Sequence, residues 1–138
     1  MQSAKIDFLL DTNVLIYAAS GRIDAPRKFD VASRLVLSGS FAVTGQTLAE
    51  FCSASHRKKL LPPEDVDRWL YFLGRLPFVP VDQSYVHAGF ATARHHRISY
   101  FDAALLAAAE RVGAPVFYSE DLNHNQVYGS VRVVNPFL

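Results

Sequence analysis

The stretch Phe8 to Ala18, FLLDTNVLIYA, carries the information on which a reading of this chain turns. Its first half belongs to a short apolar run, Ile6 to Leu10, that stops at Asp11. An apolar run of this length, bounded by a polar residue, predicts a buried strand. The second half begins at Thr12, a good helix N-cap, and continues through Val14, Leu15, Ile16 and Ala18, which predicts a helix. Asp11 sits at the junction, and the stretch contains no basic residue to neutralise it. A buried carboxylate without a partner is costly, so Asp11 is the first candidate functional residue.

Outward from this junction the same alternation recurs. Phe29, Ala32, Leu35 and Val36 follow a 3.6-residue period and predict a second helix ending near Gly39. Phe41 to Val43 reads as a strand, and residues 46 to about 59 as a helix. Pro62 and Pro63 break the chain before a helix carrying Val66, Trp69, Leu70, Phe72 and Leu73. A strand is expected at Phe78 to Val81, then a helix through Tyr85, Ala88, Phe90 and Ala91. An alanine-rich helix follows from Phe101 to Val112, with strands at Val116 to Tyr118 and Val131 to Val134. Strands alternating with helices imply βαβ units: an α/β fold with a central, mostly parallel sheet of about five strands flanked by helices. In such sheets functional groups gather beyond the carboxyl ends of the strands.

Composition narrows the classes. With 138 residues, half of them hydrophobic, the chain is expected to form one domain over residues 1–138 with a sizeable core. No apolar run approaches the roughly 18 residues of a membrane span, and no secretory signal is evident at the start, so no membrane association and a cytoplasmic location are expected. The single cysteine, Cys52, excludes an internal disulfide and a cysteine-built zinc site. Net charge is only +1, but 10 of the 14 basic residues are arginine, the side chain suited to bidentate phosphate contacts. If four acidic residues gather at one site, the remainder of the molecule is basic, a sensible layout for an enzyme acting on polyanions.

Four acidic positions fit that layout. Asp11 directly follows the first strand, and Asp121 lies three residues beyond Tyr118, the expected end of the fourth. Glu50 falls early in a helix that follows a strand, and Asp102 opens the alanine-rich helix, where the helix N-terminus favours a carboxylate. Like charges packed together repel and raise one another's pKa, so such a cluster calls for a cation. Oxygen ligands without cysteine point to a hard ion, Mg²⁺ or Mn²⁺, and phosphodiester hydrolysis is the chemistry such a site serves best. Taken singly, Asp11 and Asp102 read equally as helix N-terminal charges and Glu50 as a solvated helix residue. Aspartyl-phosphate chemistry fits poorly, because haloacid-type phosphatases carry a second Asp where this chain has Asn13, and receiver domains need a late lysine whereas the last here is Lys59.

The segments LLDTNVLIYA (Leu9 to Ala18), TLAEF (Thr47 to Phe51) and SYFDAALLAAA (Ser99 to Ala109) resemble the first three motifs of the PIN domain. SEDLNHNQVYGSVRVVNPF, Ser119 to Phe137, resembles the C-terminal part of VapC-type toxins. The resemblance runs nearly the whole length, in order and spacing. It implies the PIN-like fold, Mg²⁺- or Mn²⁺-dependent endoribonuclease activity on an RNA substrate, a cognate antitoxin protein, as in type II toxin–antitoxin pairs, and a homodimer. It further implies that Asp11, Glu50, Asp102 and Asp121 are the catalytic and metal-holding quartet, with Asn13 and Ser119 orienting carboxylates or water beside it. Glu120 precedes Asp121, and either carboxylate could face the metal; the hydroxyl at Ser119 favours Asp121. A catalytically silent PIN-fold module that binds RNA or protein is the alternative.

Three basic clusters remain: Arg22 with Arg27 and Lys28, His56 to Lys59, and Arg94 to Arg97. Each reads first as a solvated helix end. Arg22, in a loop soon after Asp11, is the best candidate for RNA-phosphate contact. His124 is expected to contact RNA or cap a turn, and Asp7 and Asp82 to flank strands at the surface. The helix from Pro63 to Leu76 carries large apolar residues on more than one face and is the expected site of self-association.

Overall fold

The structure is a computed structural model and describes residues 5–138. In chain order the elements are β1 (Phe8–Leu10), α1 (Thr12–Ser20), α2 (Pro26–Ser38), β2 (Phe41–Thr44), α3 (Gly45–Arg57), α4 (Pro63–Leu73), β3 (Phe78–Val79), α5 (Gln83–His96), α6 (Tyr100–Arg111), β4 (Val116–Tyr118), β5 (Val127–Tyr128) and β6 (Val131–Val134). The strands form one six-stranded sheet in the order β3-β2-β1-β4-β6-β5. Every pairing is parallel except β5 with β6. The fold class is as expected; the sixth strand, β5, is an addition to the five anticipated. It closes a hairpin whose two-residue loop is Gly129-Ser130, with Gly129 at φ +61°, a left-handed conformation that suits glycine.

Central strands buried on both faces explain the unbroken apolar run before Asp11. Phe8 and Leu10 point to one side of β1 and join Phe41, Val43, Val14, Leu15 and Phe51 in a core beneath α1, α2 and α3. Leu9 points to the other side, with Ala42, Phe117 and Val133, under α5 and α6. The alanine-rich face of α6 lets α5 approach closely: a Cβ added at Gly89 of α5 would lie 2.8 Å from the Ala104 Cβ. Ala104, Leu105, Ala108 and Ala109 are all buried.

Register places the site. Leu10 of β1 is paired with Tyr118 of β4, and the Asp11 N–H continues the ladder to the Tyr118 carbonyl at 2.9 Å. Asp11 and Ser119 are therefore neighbours at the carboxyl edge of the sheet. No helix among the described residues is long and apolar enough to cross a membrane.

Candidate metal centre

Asp11, not Thr12, occupies the N-cap position of α1, yet its side chain makes no capping hydrogen bond. The carboxylate is engaged elsewhere: Ser119 Oγ donates to Asp11 Oδ2 at 2.9 Å. The same hydroxyl accepts the Asp121 N–H at 3.1 Å. Ser119 is fully buried, so one serine fixes both the carboxylate at the end of β1 and the backbone that carries the one beyond β4.

Asp102 comes from a third direction. Ser99 caps α6, and Asp102 is three residues on; Ser99 Oγ donates to Asp102 Oδ2 at 3.0 Å and accepts the Asp102 N–H at 3.4 Å. The two bonds hold the carboxylate at the positive end of the helix. One carboxylate oxygen from each of Asp11, Asp102 and Asp121 lies within 4.8 Å of the others. Asp11 is buried, Asp102 half-buried and Asp121 exposed. The triad opens from a buried floor to solvent.

The fourth acid behaves differently. Glu50 lines the same cleft, of about 350 Å³, but stands outside the triad. Thr12 Oγ1 donates to Glu50 Oε1 at 2.7 Å, and Gln46 Nε2 reaches Oε2 at 3.5 Å. Gln46 is itself buried. Its amide donates to the Phe101 carbonyl at 3.0 Å and accepts from Tyr85 Oη at 2.8 Å. Thr12, Gln46 and Tyr85 thus tie α1, α3, α5 and α6 together around Glu50. Sequence patterning gives no sign of this network, since local periodicity cannot pair residues 38 or 39 positions apart.

Glu120 and Asp121 send their side chains to different partners. Glu120 accepts from Tyr17 Oη at 2.7 Å and from Lys28 Nζ at 2.8 Å. Burial raises the Glu120 pKa, but the hydrogen bonds from Lys28 and Tyr17 outweigh it and leave a net lowering. That carboxylate is already neutralised, whereas Asp121 is in the triad.

Burial and charge repulsion in the triad favour the protonated forms of Asp11 and Asp102. Burial, a hydrogen bond to Asp121 and the Asp121 and Asp102 charges push the Asp11 pKa up to about 7, against a lowering by Ser119. Asp102 is also raised, first by burial and then by Asp121. Three carboxylates so placed fit a divalent cation: the donors are all oxygen, which suits a hard ion such as Mg²⁺ or Mn²⁺, and a cation would remove the repulsion that otherwise keeps a proton on Asp11.

The remaining candidates fall as follows. Asn13 is exposed and lines the cleft. Arg22 is exposed in the loop after α1 and is not among the lining residues; the basic side chains there are Arg57 and Lys58 of the α3 C-terminus. His124 accepts the Asn135 N–H at 3.0 Å, a contact between segments 11 residues apart. Asp82 is more than a surface residue: it caps α5, accepting the Tyr85 N–H at 2.9 Å.

Known proteins share this architecture. The chain has 19% identity and a TM-score of 0.71 to a toxin–antitoxin complex structure from Klebsiella pneumoniae, with 94% of this chain and 98% of that chain covered. Against VapC20 of Mycobacterium tuberculosis, described as a sarcin–ricin-loop-cleaving toxin, the TM-score is 0.68 at 18% identity, covering 83% and 90%. A DNA-bound VapBC structure from Salmonella typhimurium gives 0.63 at 21% identity, covering 93% and 96%. At such identities the likeness is one of fold. No curated protein sequence matches. The family model of the PIN domain matches residues 8–130, a span that includes Asp11, Glu50, Asp102 and Asp121, and the chain belongs to the PIN domain family.

Proposed function

We propose that this chain is a Mg²⁺-dependent endoribonuclease, with Mn²⁺ able to substitute, and the toxin of a type II toxin–antitoxin pair. The observation that carries the reading is the convergence of the Asp11, Asp102 and Asp121 carboxylates within 4.8 Å at the carboxyl edge of a parallel sheet. These three would hold the cation, which when bound supplies charge neutralisation and an acidified water for phosphodiester hydrolysis. Ser119 keeps Asp11 and Asp121 in register. Glu50 has Oε1 occupied by Thr12 and offers Oε2 to a proton released in the cleft. Asn13, at the rim, orients water or substrate.

Structural similarity to toxin–antitoxin complexes supports a cognate antitoxin as partner. A shallow apolar groove lined by Val36, Leu37, Trp69 and Phe72, with Arg68 at its side, suits an amphipathic segment of such a partner. Self-association as a homodimer belongs to the same proposal. On α4, Leu73 is buried and Trp69 packs on the core, while Tyr71 is 73% exposed, so the helix is only partly spent on the interior.

The test is direct: the purified chain is incubated with RNA in MgCl₂, in EDTA, and as the variant Asp102→Asn. Cleavage confined to the parent in MgCl₂ supports the proposal. RNA bound but left intact in MgCl₂ replaces it with the catalytically silent binding module.

A further inference from the structure

The cleft that holds the carboxylates is also lined by Arg57 and Lys58, at the last residue and the C-cap of α3. Both are exposed. Among the described residues neither forms an ion pair or a side-chain hydrogen bond, although four carboxylates share the cleft. The cations therefore do not serve to neutralise those acids. By contrast, Lys28, also near the carboxyl edge, is fully engaged by Glu120 and Tyr17. A helix C-terminus attracts basic residues through its dipole, and that accounts for the whole run His56-Arg57-Lys58-Lys59. It does not account for the fact that only Arg57 and Lys58 line the cleft. The same cleft has apolar lining from Ile16 and Ala54 and a hydroxyl from Ser53.

This division of the cleft matches a polyanion better than a single anion. A nucleic-acid strand that presents one phosphate to the carboxylate-held cation must place its neighbouring phosphates beside it, where free cations stabilise them. Arginine gives a bidentate contact and lysine a mobile point charge. We propose that Arg57 and Lys58 form a phosphate-binding subsite that grips a single-stranded RNA backbone next to the bond to be cut, with Ile16 and Ala54 beneath the intervening sugar or base. The choice of RNA rests on the ribonuclease reading above.

Binding can be measured apart from cleavage. A fluorescein-labelled, mixed-sequence single-stranded RNA is titrated with Asp102→Asn protein over a series of salt concentrations, following anisotropy. The same background then carries either Arg57→Gln with Lys58→Gln, or His56→Gln with Lys59→Gln. The first pair is expected to weaken binding on the order of tenfold and to reduce the salt slope by about 0.7 for each phosphate no longer neutralised. The second pair, drawn from the same helix end, is expected to leave both unchanged, and Arg57→Lys to retain most of the binding. Equal weakening by the two pairs, or none by the first, would overturn the subsite. Melting temperatures of all variants check that the fold is retained. Cleavage by the parent in MgCl₂ is scored separately: if it is absent while the Arg57/Lys58 effect on binding persists, the nuclease reading fails and the subsite stands.

Discussion

Asp11→Asn should make the metal-free protein more stable at pH 8 and change it little at pH 3. Asp11 titrates near 7 in the folded protein against an ordinary value of 3.8. The native state therefore holds a proton there that the unfolded chain has released. Stability is fully present below about pH 4 and is lost progressively as pH rises through 7. The difference of roughly three pH units corresponds to about 4 kcal/mol. The ionised carboxylates can move apart in the parent, which relieves part of this cost, so about half that figure is expected for a single replacement. Asparagine keeps the shape: its Oδ1 accepts from Ser119 Oγ, and its amide donates to Asp121 as the protonated acid does. At roughly 3–4 °C per kcal/mol for a chain of this size, thermal unfolding in EDTA at pH 8 should rise by about 5–10 °C. The gain should shrink toward zero at pH 3, where the folded and the unfolded parent are both protonated. The reasoning is refuted if the variant is equally stabilised or destabilised at both pH values, because the effect would then be packing and not charge.

Four further outcomes follow from the same geometry. Asp102→Asn should abolish cleavage, raise the melting temperature in EDTA and reduce the stabilisation by Mg²⁺, read as the shift in melting with and without the ion; a full Mg²⁺ response would make Asp102 a helix residue only. Ser119→Ala removes a buried hydrogen bond and should cost about 1–2 kcal/mol in urea unfolding, while raising the Asp11 pKa further, measurable by carboxyl NMR. Glu120→Gln breaks a partly buried ion pair and should cost about 1 kcal/mol or less, with the Mg²⁺ response unchanged; loss of that response would move the site to Glu120. Gly89→Ala drives a methyl into Ala104 and should destabilise by about 1–3 kcal/mol without altering RNA binding.

Much of this architecture is legible in the chain. The run FLLDTN yields both the buried strand and the acid beyond it, because a strand covered on two faces must be continuously apolar and the first polar residue marks its end. Asp121 emerges by the same rule, three residues beyond an apolar strand, and Asp102 by its place at the start of the alanine-rich helix. Pairings across the fold are what local patterning cannot deliver. Thr12 reads as a helix cap, yet its hydroxyl goes to Glu50, and that bond, with Gln46, holds the fourth acid outside the triad. Arg22 lies close to Asp11 along the chain but is not among the residues lining the cleft, whereas Arg57 and Lys58, far off in sequence, are. Asp82 reads as a surface residue, although its carboxylate caps α5 and its pKa is lowered by the Tyr85 N–H and Ser84. The strand β5 leaves no periodic trace because it has only two residues, although Gly129-Ser130 between apolar pairs is a hairpin signal.

The central claim is that Asp11, Asp102 and Asp121 hold the cation on which catalysis depends. Crystals grown or soaked with Mn²⁺, measured at a wavelength where manganese scatters anomalously, test it most directly. The account predicts an anomalous peak within coordination distance of those three carboxylates, absent in crystals of Asp11→Asn. A peak held by Glu120 instead, or no peak under conditions where the protein cuts RNA with Mn²⁺ as its only divalent ion, would contradict it.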